Sequence, residues 1–309
     1  MPLANPQIEV LAVREVLALQ HASAREAKKP AGRNMSGSQQ GNFAGSFPEH
    51  YDRYLVPMQF APYAQLLADR AKALAPSRVL ETAAGTGIVT QALVGALPPR
   101  VAITATDLNQ PMIDHARAKR GMAGVIWRQA DAMKLPFPDQ AFDLVVCQFG
   151  VMFFPDKQAA FREALRVLRP GGSFLFDVWD DYSRMSNAPI AIAAETAGAM
   201  LGREPLSLLS PPYHDEDTIR ADLAAAGFGV VQVERISRPA CAASARDAAV
   251  ITVQGSMMRT AIEAASPERL EEVTDAVEQV MLARFGDEPI EGTTNALIVT
   301  AAKPRVEEI

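Results

Sequence analysis

The stretch Val79-Leu80-Glu81-Thr82-Ala83-Ala84-Gly85-Thr86-Gly87 decides the fold class of this chain. An apolar run typical of a buried strand passes into a turn with two glycines, and the apolar periodicity of a helix follows. Glycine allows a positive φ and lets a ligand approach the backbone without a Cβ in the way. The free N–H groups at the start of a helix attract an anionic group. The stretch therefore predicts a strand, a turn and a helix that hold a ligand at the end of the strand.

Outward from this stretch, strand and helix patterns alternate with short connections, which predicts right-handed crossovers and a doubly wound, mostly parallel sheet with helices on both faces. Two further strand patterns in the second half raise the predicted number of strands to seven. The predicted strands are 78–82, 101–106, 125–128, 142–147, 173–178, 230–236 and 295–302, and the predicted helices of the first half are 62–75, 87–97, 111–119 and 158–167, the last closed by a turn at 169–172.

The patterns also predict how the chain is divided. Residues 1–45 form a flexible or peripheral extension with one helix at 8–28, and Met35 is an alternative start of the natural protein. The core spans 46–240 and includes helices at 187–201 and 215–226. Helical patterns at 242–258 and 267–285 predict a cap insertion, 241–290, over the ligand crevice, and 291–309 supply the last core strand and a tail.

Composition narrows the class of protein. The 309 residues carry a formal net charge of −6, which argues against a nucleic-acid-binding face rich in lysine and arginine. The two cysteines, Cys147 and Cys241, are far apart, so neither a disulfide framework nor a cysteine-built metal site is expected. The apolar runs are too short to span a bilayer, and the N-terminus lacks the order of a signal peptide. We expect a cytoplasmic protein without nucleic acid, metal or stable membrane insertion.

An acid follows the glycine turn at a distance typical of nucleotide-binding folds. Asp107 ends the second predicted strand, where a carboxylate can accept hydrogen bonds from a ribose diol, although an N-cap role is the plain alternative. A dinucleotide fingerprint would place a third glycine where Thr90 stands. Glu81 within the first strand is also atypical of nicotinamide-dependent enzymes. These departures disfavour an NAD(P)-dependent oxidoreductase without excluding one.

Five segments, in the same order along the chain, resemble the motifs of class I S-adenosylmethionine-dependent methyltransferases. Within that family they resemble the ubiquinone/menaquinone-type (methyltransferase type 11) relatives. The first motif is 79–87, and Ala84 stands where those relatives often have cysteine. The resemblance covers 79–178 and continues in Asp107-Leu108-Asn109-Gln110-Pro111-Met112, Ala130-Asp131-Ala132-Met133-Lys134-Leu135-Pro136-Phe137, Phe142-Asp143-Leu144-Val145-Val146-Cys147-Gln148-Phe149 and Leu165-Arg166-Val167-Leu168-Arg169-Pro170-Gly171-Gly172.

The resemblance implies S-adenosyl-L-methionine as the cofactor and assigns roles to residues of those motifs. Glu81 would fix the amino-acid end of the ligand, Asp107 the ribose hydroxyls, and Asp131 the exocyclic amine of adenine, unless Asp131 is only a turn residue. The segment before the first strand would cover the cofactor. The implied cofactor-binding residues are Glu81, Ala83, Gly85, Gly87, Asp107, Leu108, Met112, Asp131, Ala132, Gln148, Phe149, Tyr51 and Tyr54.

Two histidines are candidate general bases, because histidine titrates near neutrality. His50 and His214 lie in segments expected near the open edge of the crevice, although each could equally be a surface or capping residue. The sulfonium already carries a good leaving group, so alignment of the attacking atom supplies most of the acceleration.

The sequence predicts methyl transfer to an O, N or C atom of a small molecule. A hydrophobic or aromatic acceptor is favoured by the apolar residues of the cap, Met257, Met258, Leu270, Val273, Val277, Met281 and Phe285, which could equally be plain core. A non-catalytic scaffold of the same fold is the second alternative, since a fold and a ligand loop do not prove chemistry. The oligomeric state is open, and a homo-oligomer is compatible with the sequence.

Overall fold

A computed structural model of the protein describes residues 47–286 and 288–305, and the predicted N-terminal extension with its helix lies outside these residues. The core is one seven-stranded sheet with the strand order β3-β2-β1-β4-β5-β7-β6. Strands β1 to β5 pair in parallel, and β7 runs antiparallel to both of its neighbours. The strands are β1 Arg78–Glu81, β2 Ala102–Asp107, β3 Ile126–Gln129, β4 Phe142–Gln148, β5 Leu168–Trp179, β6 Val231–Ala242 and β7 Ile290–Ala302.

Helices connect the strands as the alternating pattern predicts. Within the described residues, α2 packs against α3, and α5 packs against α7. The helices are α1 Phe47–His50, α2 Ala61–Ala73, α3 Ile88–Ala96, α4 Gln110–Ala118, α5 Lys157–Val167, α6 Pro189–Leu201, α7 Glu216–Ala226, α8 Ala245–Ala249, α9 Met257–Ala265 and α10 Leu270–Phe285.

Strand β4 lies at the centre of the sheet. Its residues from Leu144 to Cys147 are completely buried, which explains the near-continuous apolar run in the sequence. Burial of each such side chain stabilises the fold by about 1.5–3 kcal/mol. Asp143, at the start of the strand, accepts backbone hydrogen bonds from Ser77 (2.6 Å) and Arg78 (2.8 Å) and pairs with Arg169 (2.9 Å). Its role in the fold is therefore structural.

The predicted turn at 169–172 is wrong in one respect. These residues belong to β5, which begins at Leu168 beside Phe142 and continues to Trp179. The register shifts between Phe142 and Leu144, and Gly171 has a φ of +77°. The glycines thus form an irregularity inside the strand, because a positive φ bends an extended chain without ending its pairing.

The predicted helix 242–258 is also wrong. Strand β6 continues to Ala242, and the helical structure after it is broken into α8, a π-helical segment at Val250–Gln254, and α9. The break falls at Gly255, after which the Ser256 hydroxyl accepts the Met258 N–H (3.1 Å) and caps α9. Such a cap starts a new helix where the sequence pattern suggested a continuous one.

The segment before the first strand has a form that the sequence pattern did not predict. Residues Tyr51–Phe60 form a π-helix that includes Pro57, and α2 follows it directly. Its buried side chains are Leu55, Val56, Met58 and Gln59. A π-helix is rare and is found disproportionately at functional sites.

Candidate functional site

The loop between β1 and α3 has three residues in the left-handed region. The φ angles are +52° at Ala83, +55° at Gly85 and +82° at Gly87. A Cβ on Gly87 would stand 3.0 Å from the Ala116 Cβ and 3.1 Å from the Trp127 ring, whereas a Cβ on Gly85 would meet nothing within 4 Å. Gly87 therefore serves close packing, and Gly85 leaves open space beside the loop.

Glu81 lies at the end of β1, directly before this loop, and is 1% exposed. Its Oε2 accepts a hydrogen bond from the Thr90 hydroxyl at 2.6 Å. Burial raises the pKa of Glu81 to about 8, and this hydrogen bond opposes the shift only in part. Glu81 is consequently a largely neutral acid at pH 7 in the absence of a cation.

Asp107 lies at the end of β2, on the other side of the loop. Its Oδ2 accepts the Gly85 N–H and its Oδ1 the Asn109 N–H, both at 2.8 Å. Burial raises the pKa of Asp107, while these backbone hydrogen bonds favour its charged form. The carboxylate is therefore tied to the glycine loop and also closes the turn into α4.

The two acids fit the group that the sequence implies. Neither Glu81 nor Asp107 takes part in an ion pair within residues 47–286 and 288–305. Two buried acids beside open backbone at Gly85 suit a ligand that carries an ammonium group and a ribose diol. S-Adenosylmethionine has both of these groups.

The π-helical segment is attached to this site by Asp52. The Asp52 carboxylate pairs with His115 Nε2 at 3.2 Å and with Lys119 Nζ, both from the region of α4. The neighbouring Tyr51 hydroxyl is buried, and burial, together with the charges of Asp52 and Asp107, raises its pKa. The predicted covering segment thus lies close to the acid at the end of β2.

Residues after β4 form one wall of the region that is bounded by the glycine loop and by the ends of β2, β4 and β5, and we call this region the crevice. Phe149 has a φ of +48°, and its N–H donates to Asp177 Oδ1 at 2.7 Å. Its ring stacks on Trp179 with centroids 3.7 Å apart. Gln148 Nε2 donates to the Phe60 carbonyl oxygen at 3.2 Å, so the wall contacts the π-helical segment.

The segment predicted to read adenine forms a tight turn after β3. The Asp131 Oδ1 accepts the Met133 N–H at 2.8 Å, and the Asp131 carbonyl oxygen accepts the Lys134 N–H at 2.9 Å. This is the turn geometry that the sequence left open as the alternative. The Ala130 N–H donates to the Asp107 carbonyl oxygen at 3.0 Å, which brings this turn and Ala132 next to the end of β2.

The residues after Asp107 differ in exposure. Leu108 is 42% exposed, whereas Met112 is buried in the first turn of α4. The exposed leucine presents an apolar surface beside Asp107, whereas Met112 contributes mainly to packing.

The two histidines differ in what the structure describes. His50 is the last residue of α1, and its side chain lies outside what is described. His214 is half-buried before α7. Hydrogen bonds from Thr218 lower the pKa of Asp215, and His214 adds to this effect. Tyr54 packs with the Arg53 guanidinium 5.3 Å above its ring. The catalytic and tyrosine assignments remain predictions.

Three residues of the candidate site could not be predicted from the sequence patterns. Thr90 was read only as a missing glycine, yet its hydroxyl is the partner of Glu81. Asp177 and Trp179 lie at the end of β5, which the sequence analysis treated as an ordinary strand. The sequence feature that could have indicated Asp177 is its position as an acid in the apolar run Phe174-Leu175-Phe176-Asp177-Val178. Acids are rarely buried completely unless they have a specific partner.

No helix in the described part of the chain is both long and apolar enough to cross a bilayer. The described residues also contain no cluster of three or more His, Cys, Asp or Glu side chains arranged to hold a metal ion.

Comparisons with known proteins agree with this geometry. The profile of the methyltransferase domain family matches residues 80–176. A ubiquinone/menaquinone biosynthesis C-methyltransferase, UbiE, from Pseudomonas putida is 32% identical over 190 residues, which cover 53% of this chain and 73% of that protein. A UbiE from Ectopseudomonas mendocina is 36% identical over 168 residues, which cover 49% of this chain and 65% of that protein, just under two thirds of its length.

Two solved structures share the fold. The YcgJ protein from Bacillus subtilis aligns with a TM-score of 0.52 at 19% identity, over 79% of this chain and 99% of that chain. A putative methyltransferase from Bacillus halodurans aligns with a TM-score of 0.50 at 19% identity, over 78% and 98%. The sheet order and the glycine loop define a protein of the methyltransferase class. The chain belongs to the class I S-adenosylmethionine-dependent methyltransferase family.

Proposed function

We propose that this protein transfers a methyl group from S-adenosylmethionine to a small hydrophobic or aromatic molecule. The observation that carries the proposal is the hydrogen bond from Gly85 N–H to Asp107 Oδ2, which joins the glycine loop to the acid at the end of β2. This contact brings the anion-attracting helix start and the ribose-binding acid to one side of the sheet. A cytoplasmic location is part of the proposal.

Each wall of the crevice has a defined task in this function. Asp107 would accept hydrogen bonds from the ribose hydroxyls, and Glu81 would hold the ammonium group. Leu108 and the turn at Asp131 and Ala132 would enclose the adenine. When bound, the cofactor supplies an activated methyl group on a positively charged sulfur, so the chain itself needs no nucleophile.

The chain's contribution to the reaction is alignment and removal of water. The π-helical segment Tyr51–Phe60 would cover the crevice, and Gln148 and Phe149 would support the methyl-bearing side. His214 or His50 would take the proton from the acceptor. Product release then requires the covering segment to move.

Aromatic side chains that pack beside the ends of β4 and β5 give the acceptor class some support, although Tyr63 is completely buried and Phe149 and Trp179 are only 5% exposed. Phe60, Tyr63, Phe149 and Trp179 form a cluster with ring centroids 3.7–5.7 Å apart. The apolar residues of the insertion give weaker support than the sequence suggested, since Met258, Val273, Val277 and Met281 are completely buried as core. The relatives are named C-methyltransferases of ubiquinone and menaquinone biosynthesis, which places aromatic carbon acceptors first in a screen.

The first experiment is a calorimetric titration of the full chain with S-adenosylhomocysteine, NAD⁺ and NADP⁺. The wild type is compared with Asp107→Ala and with the control Asp114→Ala. Asp114 is an exposed acid on α4 that accepts a hydrogen bond from Gln110 at 2.8 Å. We expect micromolar binding of S-adenosylhomocysteine alone. Loss of Asp107 should weaken it about 100-fold, because two or more hydrogen bonds to a charged acceptor are lost.

The outcomes separate the competing functions. Binding of NAD⁺ or NADP⁺ instead of S-adenosylhomocysteine would support the hypothesis that the protein is an oxidoreductase. In another outcome, S-adenosylhomocysteine binds tightly while no label passes from methyl-labelled cofactor to phenols, quinols, amines or activated carbons. That outcome would favour a non-catalytic scaffold. An equal loss in Asp114→Ala would mean that the Asp107 effect is not local.

A further inference from the structure

Asp177 is a completely buried acid to which the proposed reaction gives no task. It lies on β5 directly beside Gln148 of β4, at the end of the strand that faces the crevice. It forms no ion pair with any residue that the structure describes. Burial raises the pKa of Asp177 well above its ordinary value, because a charged carboxylate is poorly solvated there.

The two oxygens of Asp177 differ. Oδ1 accepts the Phe149 N–H at 2.7 Å, whereas Oδ2 makes no hydrogen bond within the described residues. The amide of the adjacent Gln148 donates to the Phe60 carbonyl oxygen at 3.2 Å, and the same side chain also lowers the pKa of Asp177, against the effect of burial. A buried acid with one unsatisfied oxygen is costly and persists only where it serves a purpose. Its satisfied contact identifies that purpose.

The contact is to a strained residue. Phe149 has a φ of +48°, which residues other than glycine rarely adopt because of steric strain. In this conformation its N–H points to Asp177, and its ring stacks on Trp179. The following residue, Gly150, lies against Ala83 of the glycine loop, where a Cβ would come within 2.6 Å of the Ala83 Cβ.

We propose that Asp177 is the positioning residue of the crevice wall: its hydrogen bond holds Phe149 in the left-handed conformation that places the Phe149 ring on Trp179 and Gly150 against the glycine loop. Asp177 acts through Phe149 and Gly150 and touches neither cofactor nor acceptor. The predicted effect of Asp177 on S-adenosylmethionine binding rests on the proposed function, whereas its predicted effect on the stacking of Phe149 and Trp179 does not.

Two substitutions separate positioning from charge. Asp177→Asn keeps an oxygen that can accept the Phe149 N–H, whereas Asp177→Leu has the same branched shape, a larger volume and no acceptor. The chain contains two tryptophans, so a Trp127→Phe background leaves Trp179 as the only tryptophan that reports on the stack. Emission wavelength, acrylamide quenching and S-adenosylhomocysteine affinity are compared within that background at pH 6–8.5.

We expect Asp177→Leu to shift Trp179 emission to longer wavelength, to increase quenching and to weaken S-adenosylhomocysteine about tenfold or more. Asp177→Asn should match its parent in all three readouts and in the pH profile of binding. Unchanged emission with affinity within twofold in Asp177→Leu would overturn the proposal. So would an Asp177→Asn variant as impaired as Asp177→Leu, because that result would assign importance to the acid itself.

Amide exchange keeps the proposal testable if Asp177→Leu does not fold. The Phe149 amide should exchange slowly in the wild type and in Asp177→Asn, and exchange at the rate of an exposed loop would contradict the proposal. If the wild type does not bind S-adenosylhomocysteine, the proposed function fails. The tryptophan and exchange readouts would then still decide the role of Asp177.

Discussion

Ala83 and Gly150 are packed so closely that a Cβ on Gly150 would stand 2.6 Å from the Cβ of Ala83. The glycine loop has an alanine at a φ of +52°, and the facing loop after β4 has the glycine. The packing of these two loops therefore requires glycine at position 150, because a larger residue there would collide with the Ala83 side chain. This relationship leads directly to a test of packing.

We expect Gly150→Ala to lower the free energy of unfolding by about 1–3 kcal/mol, because the added methyl group overpacks the contact. Ala83→Gly should be close to neutral, since relief of the positive φ offsets the greater freedom of the unfolded chain. The double variant should recover only part of the loss, because the Cys147 Sγ would remain 2.7 Å from the new Cβ. Urea unfolding of the three variants measures these changes.

Gly95→Ala is the matched control for this series. Gly95 lies in α3, where an added Cβ meets nothing within 4 Å, so alanine should be neutral or stabilising by up to about 1 kcal/mol. A Gly150→Ala variant as stable as Gly95→Ala would show that the loop after β4 can move away from Ala83.

Glu81 should release a proton when the cofactor product binds. Its pKa is raised to about 8 by burial, so it is mostly protonated at pH 7, and a bound ammonium group favours the carboxylate. Titration with S-adenosylhomocysteine at pH 7 in phosphate and in Tris should give different heats, and the difference equals the number of protons released times the difference between the ionisation enthalpies of the two buffers. Glu81→Gln should abolish this difference and weaken binding. Equal heats for the wild type would exclude proton release from Glu81.

The same group makes stability depend on pH. The folded state retains the Glu81 proton up to about pH 8, whereas the unfolded state loses it near the ordinary value of 4.5. Because the folded state binds more protons in this interval, Glu81 lowers stability as the pH rises from 4.5 to 8. Urea unfolding at pH 5 and pH 8 should show a smaller decrease in Glu81→Gln than in the wild type. If the free energy of unfolding decreases equally in both proteins between pH 5 and pH 8, groups other than Glu81 cause the decrease.

Asp52 should hold the covering segment in place. Burial opposes its ionisation, but the hydrogen bond and charge of Lys119, together with the hydrogen bond from His115, act in the opposite direction, and the pKa of Asp52 lies below its ordinary value. Asp52→Asn removes the charge that pairs with Lys119 and His115. We expect faster deuterium exchange in residues 51–60 and weaker binding of S-adenosylhomocysteine.

Asp69→Asn is the control for Asp52→Asn, since Asp69 is an exposed acid on α2 that accepts a hydrogen bond from Gln65 at 3.0 Å. Exchange in residues 51–60 should not change in this variant. If Asp52→Asn also leaves that exchange unchanged, apolar packing of the π-helical segment alone holds it in place.

His214 can be separated from His50 once an acceptor is identified. A general base contributes about 10²–10⁴-fold to the rate, so replacement of the true base by glutamine should lower kcat by about that factor and leave S-adenosylhomocysteine affinity unchanged. We expect this result for His214→Gln or for His50→Gln. A kcat within threefold of the wild type in both variants and in the double variant would mean that neither histidine is the base.

The sequence determined the architecture because its signals are local. Apolar runs, glycines and helix starts at 78–119 and 142–167 predict the strands, helices and crossovers that the structure contains. Asp107 could be predicted as a candidate site residue because it ends a strand next to the glycine turn, and Glu81 because its motif resembles the first motif of the family. Parallel strands place such ends together without further information.

Only the tertiary structure decided which residues complete the site. Thr90, in the first turn of α3, reaches Glu81 at the end of β1, and Asp177 of β5 reaches Phe149 directly after β4. The break at Gly255 and the continuation of β5 through Gly171 likewise depend on neighbouring elements. These contacts arise from strand register and from burial, and neither the separation of residues along the chain nor their periodicity specifies them.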